Sequence, residues 1–176
     1  MNRNYYLFIM LLIASIVTSC KKSDIAYENG FDKSYKAWLA FKASSNNSYR
    51  YKVYTSSWTG FSSETTITVK DGKVVERVYI AKTVERPSNQ IVVHEEWTED
   101  VNSLNTHPNG YSTFTLDEIY NKAKTEWLLK RKDADVSLET KNNGMISSCG
   151  YVPKNCVDDC FFGISITSIM PLIAYD

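Results

Sequence analysis

Between Tyr49 and Trp97 four short runs place apolar side chains at alternate positions, and that period of two constrains the chain more than any other feature. Successive strand residues point to opposite sides of a sheet, so strict alternation predicts strands with one face buried. Tyr49, Tyr51 and Val53 fall on one side of the first run, with Arg50 and Lys52 on the other. Thr65, Ile67 and Val69 alternate in the second run, Val74, Val78 and Ile80 in the third, and Ile91, Val93 and Trp97 in the fourth. Asp71-Gly72 between the second and third runs is a strong two-residue hairpin signal, because a type I′ turn requires positive φ at both central positions. Pro87-Ser88-Asn89 supplies the next turn. The pattern predicts an antiparallel meander with one apolar and one polar face. Twelve tyrosines and four tryptophans favour strands further.

Two segments carry a helical period instead. Phe31, Tyr35, Trp38, Leu39 and Lys42 share one face of a helix expected over 32–43, with Asp32 as its N-cap. A second helix is expected to open at Thr115, with Glu118 as its capping-box partner, placing Leu116, Ile119, Tyr120, Ala123 and Trp127 on one side. Lys130, Arg131 and Lys132 would complement the negative end of its dipole. The polar segment from Glu99 to Ser112 reads as a long connection, and such loops are often functional. Further strands are expected near 136–140, 145–148 and 162–169, with a turn at Asn142-Asn143-Gly144. This order predicts an α+β domain over 32–176, one mainly antiparallel sheet with two helices packed on one face.

The beginning of the chain carries a different signal. Arg3, an apolar run from Tyr5 to Val17 and the small residues before Cys20 follow the pattern of a secretory signal peptide over 1–19. The run is shorter than the roughly 20 residues a membrane-spanning helix needs. Val17-Thr18-Ser19-Cys20 resembles the lipobox of bacterial lipoproteins. That resemblance implies removal of residues 1–19 and acylation of Cys20 by palmitate-type chains, and each buried methylene adds about 0.8 kcal/mol of membrane affinity. Lys21 resembles the residue at that position in outer-membrane lipoproteins, so the expected location is the cell envelope at the outer membrane. Residues 20–31 would then form the lipidated cysteine and a polar tether. Twenty basic residues less Arg3 leave 19 against 20 acidic ones, a charge of −1. With no basic stripe, no nucleic-acid partner is expected.

The densest chemistry lies between Cys149 and Cys160. Thiols outside the cytosol usually end up oxidised. With Cys20 acylated, three cysteines remain. The expected bridge is Cys149–Cys160, which flank the loop, with Cys149–Cys156 as the alternative. Three sharper readings compete: zinc on Cys149, Cys156, Cys160 and either His94 or His107; calcium on Asn155, Asp158 and Asp159; and a Cys156 nucleophile paired with His107. The C-x6-C-x3-C spacing is not that of zinc ribbons or fingers, and no twelve-residue calcium loop is present. Phosphate loops, serine nucleophile elbows and His-Glu-x-x-His segments are missing from the sequence, so no cofactor is expected. His94 is expected on a solvated sheet face. Tyr54 and Trp58, alternating with Tyr51 and Val53, would share a face with Arg50 and Lys52, and aromatics beside basic groups suit a recognition surface.

Five segments together resemble small lipoproteins of Gram-negative bacteria that carry a domain of unknown function. They are the Trp38 helix, Tyr49-Arg50-Tyr51, the hairpin from Thr66 to Val74, Thr115-Leu116-Asp117-Glu118-Ile119, and Asp158-Asp159 with Gly163-Ile164-Ser165-Ile166. The resemblance supports the α+β expectation and implies no activity. The expected function is that of a membrane-anchored, non-catalytic binding module for an envelope protein, peptide or small ligand. The rival is an envelope hydrolase or thiol enzyme working from the 149–160 loop.

Overall fold

The computed structural model describes residues 24–158 and 160–172. Cys20, the signal segment and Asp159 lie outside the described residues. Helix α1 (Glu28–Ser44) is followed by a meander of β1 (Tyr49–Ser56), β2 (Phe61–Lys70), β3 (Lys73–Glu85) and β4 (Gln90–Asp100). Helix α2 (Leu116–Lys122) runs into a π-helical turn at Ala123–Trp127, and β5 (Ala134–Glu139), β6 (Ser148–Pro153) and β7 (Phe162–Pro171) complete the chain. The strands form one seven-stranded antiparallel sheet in the order β4-β3-β2-β1-β7-β6-β5. The architecture is α+β, with β7 returning beside β1 to join the two strand groups.

Local chemistry accounts for the boundaries. Asp71 and Gly72 adopt φ of 50° and 76°, the double positive φ that the hairpin turn demands. A Cβ on Gly72 would also meet the Asn47 side chain at 2.4 Å. Thr115 caps α2 as expected, with its hydroxyl accepting from the Glu118 amide at 3.3 Å while Glu118 accepts from the Thr115 amide at 2.7 Å. Helix α1 begins at Glu28 rather than Asp32, behind a left-handed Tyr27 with φ 58° and no side-chain cap. Residues 28–31, expected to belong to a polar tether, are therefore helical. Ile25 already bridges Leu129, and the Ala26 amide donates to the Leu128 carbonyl at 2.7 Å. Lys130, Arg131 and Lys132 lie beyond α2, because the π-helical turn ends at Trp127.

Aromatic rings make the core. Trp38, Tyr49 and Tyr51 are fully buried, and Trp38 meets Tyr49 edge-on with ring centres 5.2 Å apart. Three phenols in this interior find a partner, as buried hydroxyls usually do. Tyr49 Oη accepts from the Leu116 amide at 2.8 Å, Tyr120 Oη donates to the Ser34 carbonyl at 3.0 Å, and Tyr51 Oη donates to the Phe114 carbonyl. Burial raises the pKa of all three phenols above the ordinary tyrosine value. Trp38 Nε1 and Lys42 Nζ both donate to Asp117, at 3.0 and 2.6 Å, linking α1 to the first turn of α2.

Two β-bulges break the simple alternation. In β3 the register shifts opposite Thr68/Val69, which pairs Val69 with Val74 and Thr68 with Glu76 and leaves Val75 as the extra residue. Parity therefore inverts, so Arg77, Tyr79 and Ala81 are buried while Val78 and Ile80 lie half-buried on the opposite face. In β4 the shift opposite Ala81/Lys82 leaves His94 as the extra residue. Ile91 and Val93 are turned away from Trp97 and are exposed, at 59% and 49%. The expected division into one apolar and one polar face is thus mixed. His94 bonds to Thr83 Oγ1 at 2.8 Å. The strand expected at 145–148 is displaced to Ser148–Pro153, with Met145 and Ile146 packed in the core on the approach to it.

Candidate cleft at the fork of the sheet

The sheet divides where β1 leaves β7. Their ladder runs from Tyr49↔Pro171 to Val53↔Ile166, with a register shift between Lys52 and Val53. Beyond Val53 the strands separate. Residues 54–56 remain paired with β2, while 162–165 remain paired with β6. Between them opens a cleft of about 470 Å³, lined by Tyr54, Thr55 and Ser56 on one side and Gly163, Ile164 and Ser165 on the other. Phe161, Cys160 and Val152 close one end and Tyr111 contributes to the lining.

The backbone gives this cleft its chemistry. In an antiparallel pair, residues alternate between those that hydrogen-bond the partner strand and those that point the other way. The Ser57 amide donates to the Phe61 carbonyl at 2.9 Å, which assigns the odd residues of β1 to β2. The peptide groups of Ser56 therefore face the cleft. The Ile166 amide donates to the Ser147 carbonyl at 2.7 Å, which assigns the even residues of β7 to β6 and turns Gly163 toward the cleft. Two strand edges thus face each other across a gap, a geometry that accepts a further extended segment. Gly163 and Gly150 are required here. A Cβ on Gly163 would sit 2.1 Å from the Cys149 carbonyl oxygen, and one on Gly150 would sit 2.6 Å from the Phe161 ring.

The Tyr111 part of the lining is held by a buried ion pair. Glu99 is fully buried and accepts from Arg77 Nε and Nη2, both at 2.8 Å, and from the amides of Asn105 and His107, also at 2.8 Å. Arg77 in turn donates to the carbonyls of His107 at 2.9 Å and Tyr111 at 3.3 Å. The long loop 101–115 is therefore fastened over β2–β4 by one carboxylate and one guanidinium. Trp97 is stacked against Tyr79 and His107 at ring distances of 5.1 and 4.4 Å, with the guanidinium 4.7 Å from its centre. The Arg77 charge and these amides hold the Glu99 carboxyl well below the usual carboxylate range. Thr65 Oγ1 accepts from the Tyr111 amide at 2.9 Å and completes the attachment.

The residues expected to form a recognition face are only partly brought together. Lys52 is occupied by Glu64 at 2.8 Å, and Arg50 donates to Thr68 Oγ1 at 3.2 Å beside Glu76. Tyr54 lines the cleft. Trp58 lies past the end of β1 in the turn, 77% exposed, so strand alternation does not place it. Its Nε1 donates to Asp158 at 3.1 Å and ties that turn to the β6–β7 loop.

The sulfur chemistry differs from the expectation. The disulfide joins Cys156 to Cys160, whose Cα atoms are 6.1 Å apart, and Cys149 is the free thiol. Cys149 falls on the inward parity of β6, opposite Ile164, and is fully buried, so it cannot reach either loop cysteine. Burial pushes its pKa up to about 12. That environment suppresses the thiolate that nucleophilic or metal chemistry needs. Cys156 is consumed by its bridge, while His107 belongs to the Glu99 cluster. Among the described residues no three His, Cys, Asp or Glu side chains converge as a metal site. The proposed calcium ligand Asp159 lies outside them.

Sequence reasoning missed both Arg77–Glu99 and the fork. Arg77 sits where a bulge converts an outward position to an inward one, and the only local signal is an apolar pair, Val74-Val75, out of period. Gly150 and Gly163 were the available sign of the fork, since glycine inside a strand often marks close backbone approach. Family models, curated proteins and solved structures yield no match to this chain.

Proposed function

We propose that this chain is a lipid-anchored, non-catalytic binding module of the bacterial cell envelope, attached through Cys20 to the outer membrane. Its ligand is a protein or peptide segment taken in extended form at the fork between β1 and β7. The single observation that carries this reading is the interrupted ladder: two strand edges held open at a fixed separation, with Ser56 and Gly163 directed into the gap. Main-chain hydrogen bonds would supply affinity, and the exposed side chains of Tyr54 and Phe161 would select among ligand residues. The contacts of Tyr49 to both Trp38 and Leu116 support the further reading that both helices cover one face of the sheet. That arrangement would back the cleft with a rigid core and leave its opposite side open.

Photo-crosslinking tests the proposal. A benzoylphenylalanine placed at Thr55 in full-length protein in cells should crosslink an envelope polypeptide, whereas one at Glu139 on the opposite sheet edge should not. Ser56→Trp, which fills the gap from an exposed strand position, should abolish the Thr55 crosslink without altering the fold. Equal crosslinking from both positions, or insensitivity to Ser56→Trp, would dismiss the cleft as the binding site.

A further inference from the structure

The antiparallel order places three connections at one end of the sheet: the β1–β2 turn at 57–60, the β3–β4 turn at 86–89 and the β6–β7 loop at 154–161. Most of the exposed large apolar side chains among the described residues lie at this end. Trp58 is 77% exposed, Val157 wholly exposed, and Phe161 and Phe162 are 40% and 50% exposed. The Trp58–Asp158 hydrogen bond holds two of these connections together as one surface. Some other exposed apolar residues lie away from this end, Leu39 beside Tyr35 on α1 and Met170 near the end of β7.

The described chain also enters at this end. The Lys130 amide donates to the Asp24 carbonyl at 2.8 Å, and Tyr27 Oη donates to the Val136 carbonyl at 3.2 Å. Residues 130–136 lead into and begin β5, which runs antiparallel to β6 and so starts at the end where β6 finishes. Helix α1 then travels to the opposite end, where the Gly72 amide meets the Asn47 carbonyl at 2.9 Å. Only three residues separate Cys20 from Asp24. Such a segment spans at most roughly 10–14 Å fully extended, so an anchor on Cys20 would keep this end close to the lipid.

We infer that this end is a membrane-docking surface, with Trp58 and Val157 resting in the headgroup region of the leaflet that holds the acylated Cys20. The inference rests on the lipid-anchor reading of the preceding subsection and adds an orientation to it. Tryptophan suits the role, because an indole combines an apolar body with a polar N–H and is favoured at membrane–water interfaces. A weak apolar patch that cannot hold a leaflet alone becomes effective once a tether supplies high local concentration. The cleft would then open just above the lipid surface, where it could meet segments of other envelope proteins.

The test is tryptophan quenching in the full-length lipidated protein. Reconstitution uses vesicles of phosphatidylethanolamine and phosphatidylglycerol containing phosphatidylcholine brominated near the headgroup. Wild-type emission should be quenched, and Trp58→Phe should reduce that quenching at least about threefold, because Trp38 and Trp127 are buried, Trp97 is half-buried toward the opposite end of β4, and the exposed indole is Trp58. Val157→Asp, at a side chain with no packing to lose, should lower quenching as well. Mass spectrometry of the same sample reads the acyl chains on Cys20. With those chains present, unquenched wild type, or quenching unchanged in Trp58→Phe, overturns the docking surface and leaves the anchor standing. Crosslinks joining two copies through Trp58 without quenching would assign the end to self-association instead. Absence of the acyl mass overturns the anchor reading and this inference with it.

Discussion

Replacing Glu99 by glutamine should be the most damaging isosteric change in the protein. The side chain keeps its shape but loses its charge, and its new NH2 group must face hydrogen-bond donors whichever way it turns. One oxygen accepts from Arg77 Nε and the Asn105 amide, the other from Arg77 Nη2 and the His107 amide. Arg77 is 3% exposed and would remain charged. Breaking a buried pair by removing one partner costs about 3–5 kcal/mol, mostly because a charge is left uncompensated. For a domain of this size each kcal/mol lowers Tm by roughly 2–4 °C, so the expected drop is about 6–20 °C. Thermal and urea unfolding followed by near-ultraviolet circular dichroism measure it, with Trp97 reporting on the loop it stacks beneath. The pH dependence carries the same signature. The native carboxyl has a lowered pKa, so the unfolded chain binds the proton first and the stabilisation is present above the ordinary carboxylate range of about 4.3. It is lost as pH falls from there through the native pKa, and Glu99→Gln should flatten that acid limb. A loss under about 1 kcal/mol, or an additive double-mutant cycle with Arg77→Met, would refute the claim that this pair fastens the loop.

Three further outcomes follow from the same contacts. Cys149 should resist iodoacetamide at pH 8 in the folded protein and react fully in denaturant, because its thiol is buried with a pKa pushed up to about 12; modification measured by mass spectrometry under native conditions would contradict that burial. Gly163→Ala should destabilise the protein by about 3 kcal/mol in urea unfolding, since the new methyl meets the backbone of Cys149 and Gly150 and no flexible side chain can yield. Thr115→Ala should cost about 1 kcal/mol and Thr115→Ser much less, because only the hydroxyl oxygen is needed to receive the Glu118 amide.

The elements legible in the sequence were those whose signal is local. The Asp71-Gly72 turn and the Thr115 capping box each depend on residues within three positions, and both stand where the pattern put them. Most strands were equally readable, but β6 lies at Ser148–Pro153 rather than 145–148, and the faces of β3 and β4 were not readable. One bulge residue, Val75 or His94, inverts every later side chain, and its presence is decided by the partner strand rather than by its own neighbours. The disulfide failed for a related reason. Cys149 and Cys160 are near in sequence, yet strand parity sends Cys149 into the core while Cys156 and Cys160 share the loop.

The cleft arises from the same mechanism. The register shift beside Val53 leaves Thr167 of β7 as the extra residue, the β1–β7 ladder ends there, and each strand has a partner on its other side. The gap therefore lies between two intact hairpins, and closing it would require bending one toward the other. On the proposed binding role, a fork framed by two intact hairpins would leave most of the ordering cost to the incoming segment. Affinity at such a site should depend on how extended the free ligand already is. Proline-restricted or strand-constrained versions of a crosslinked segment should bind more tightly than flexible ones of the same composition, and equal affinity would show that the edges adapt to the ligand instead.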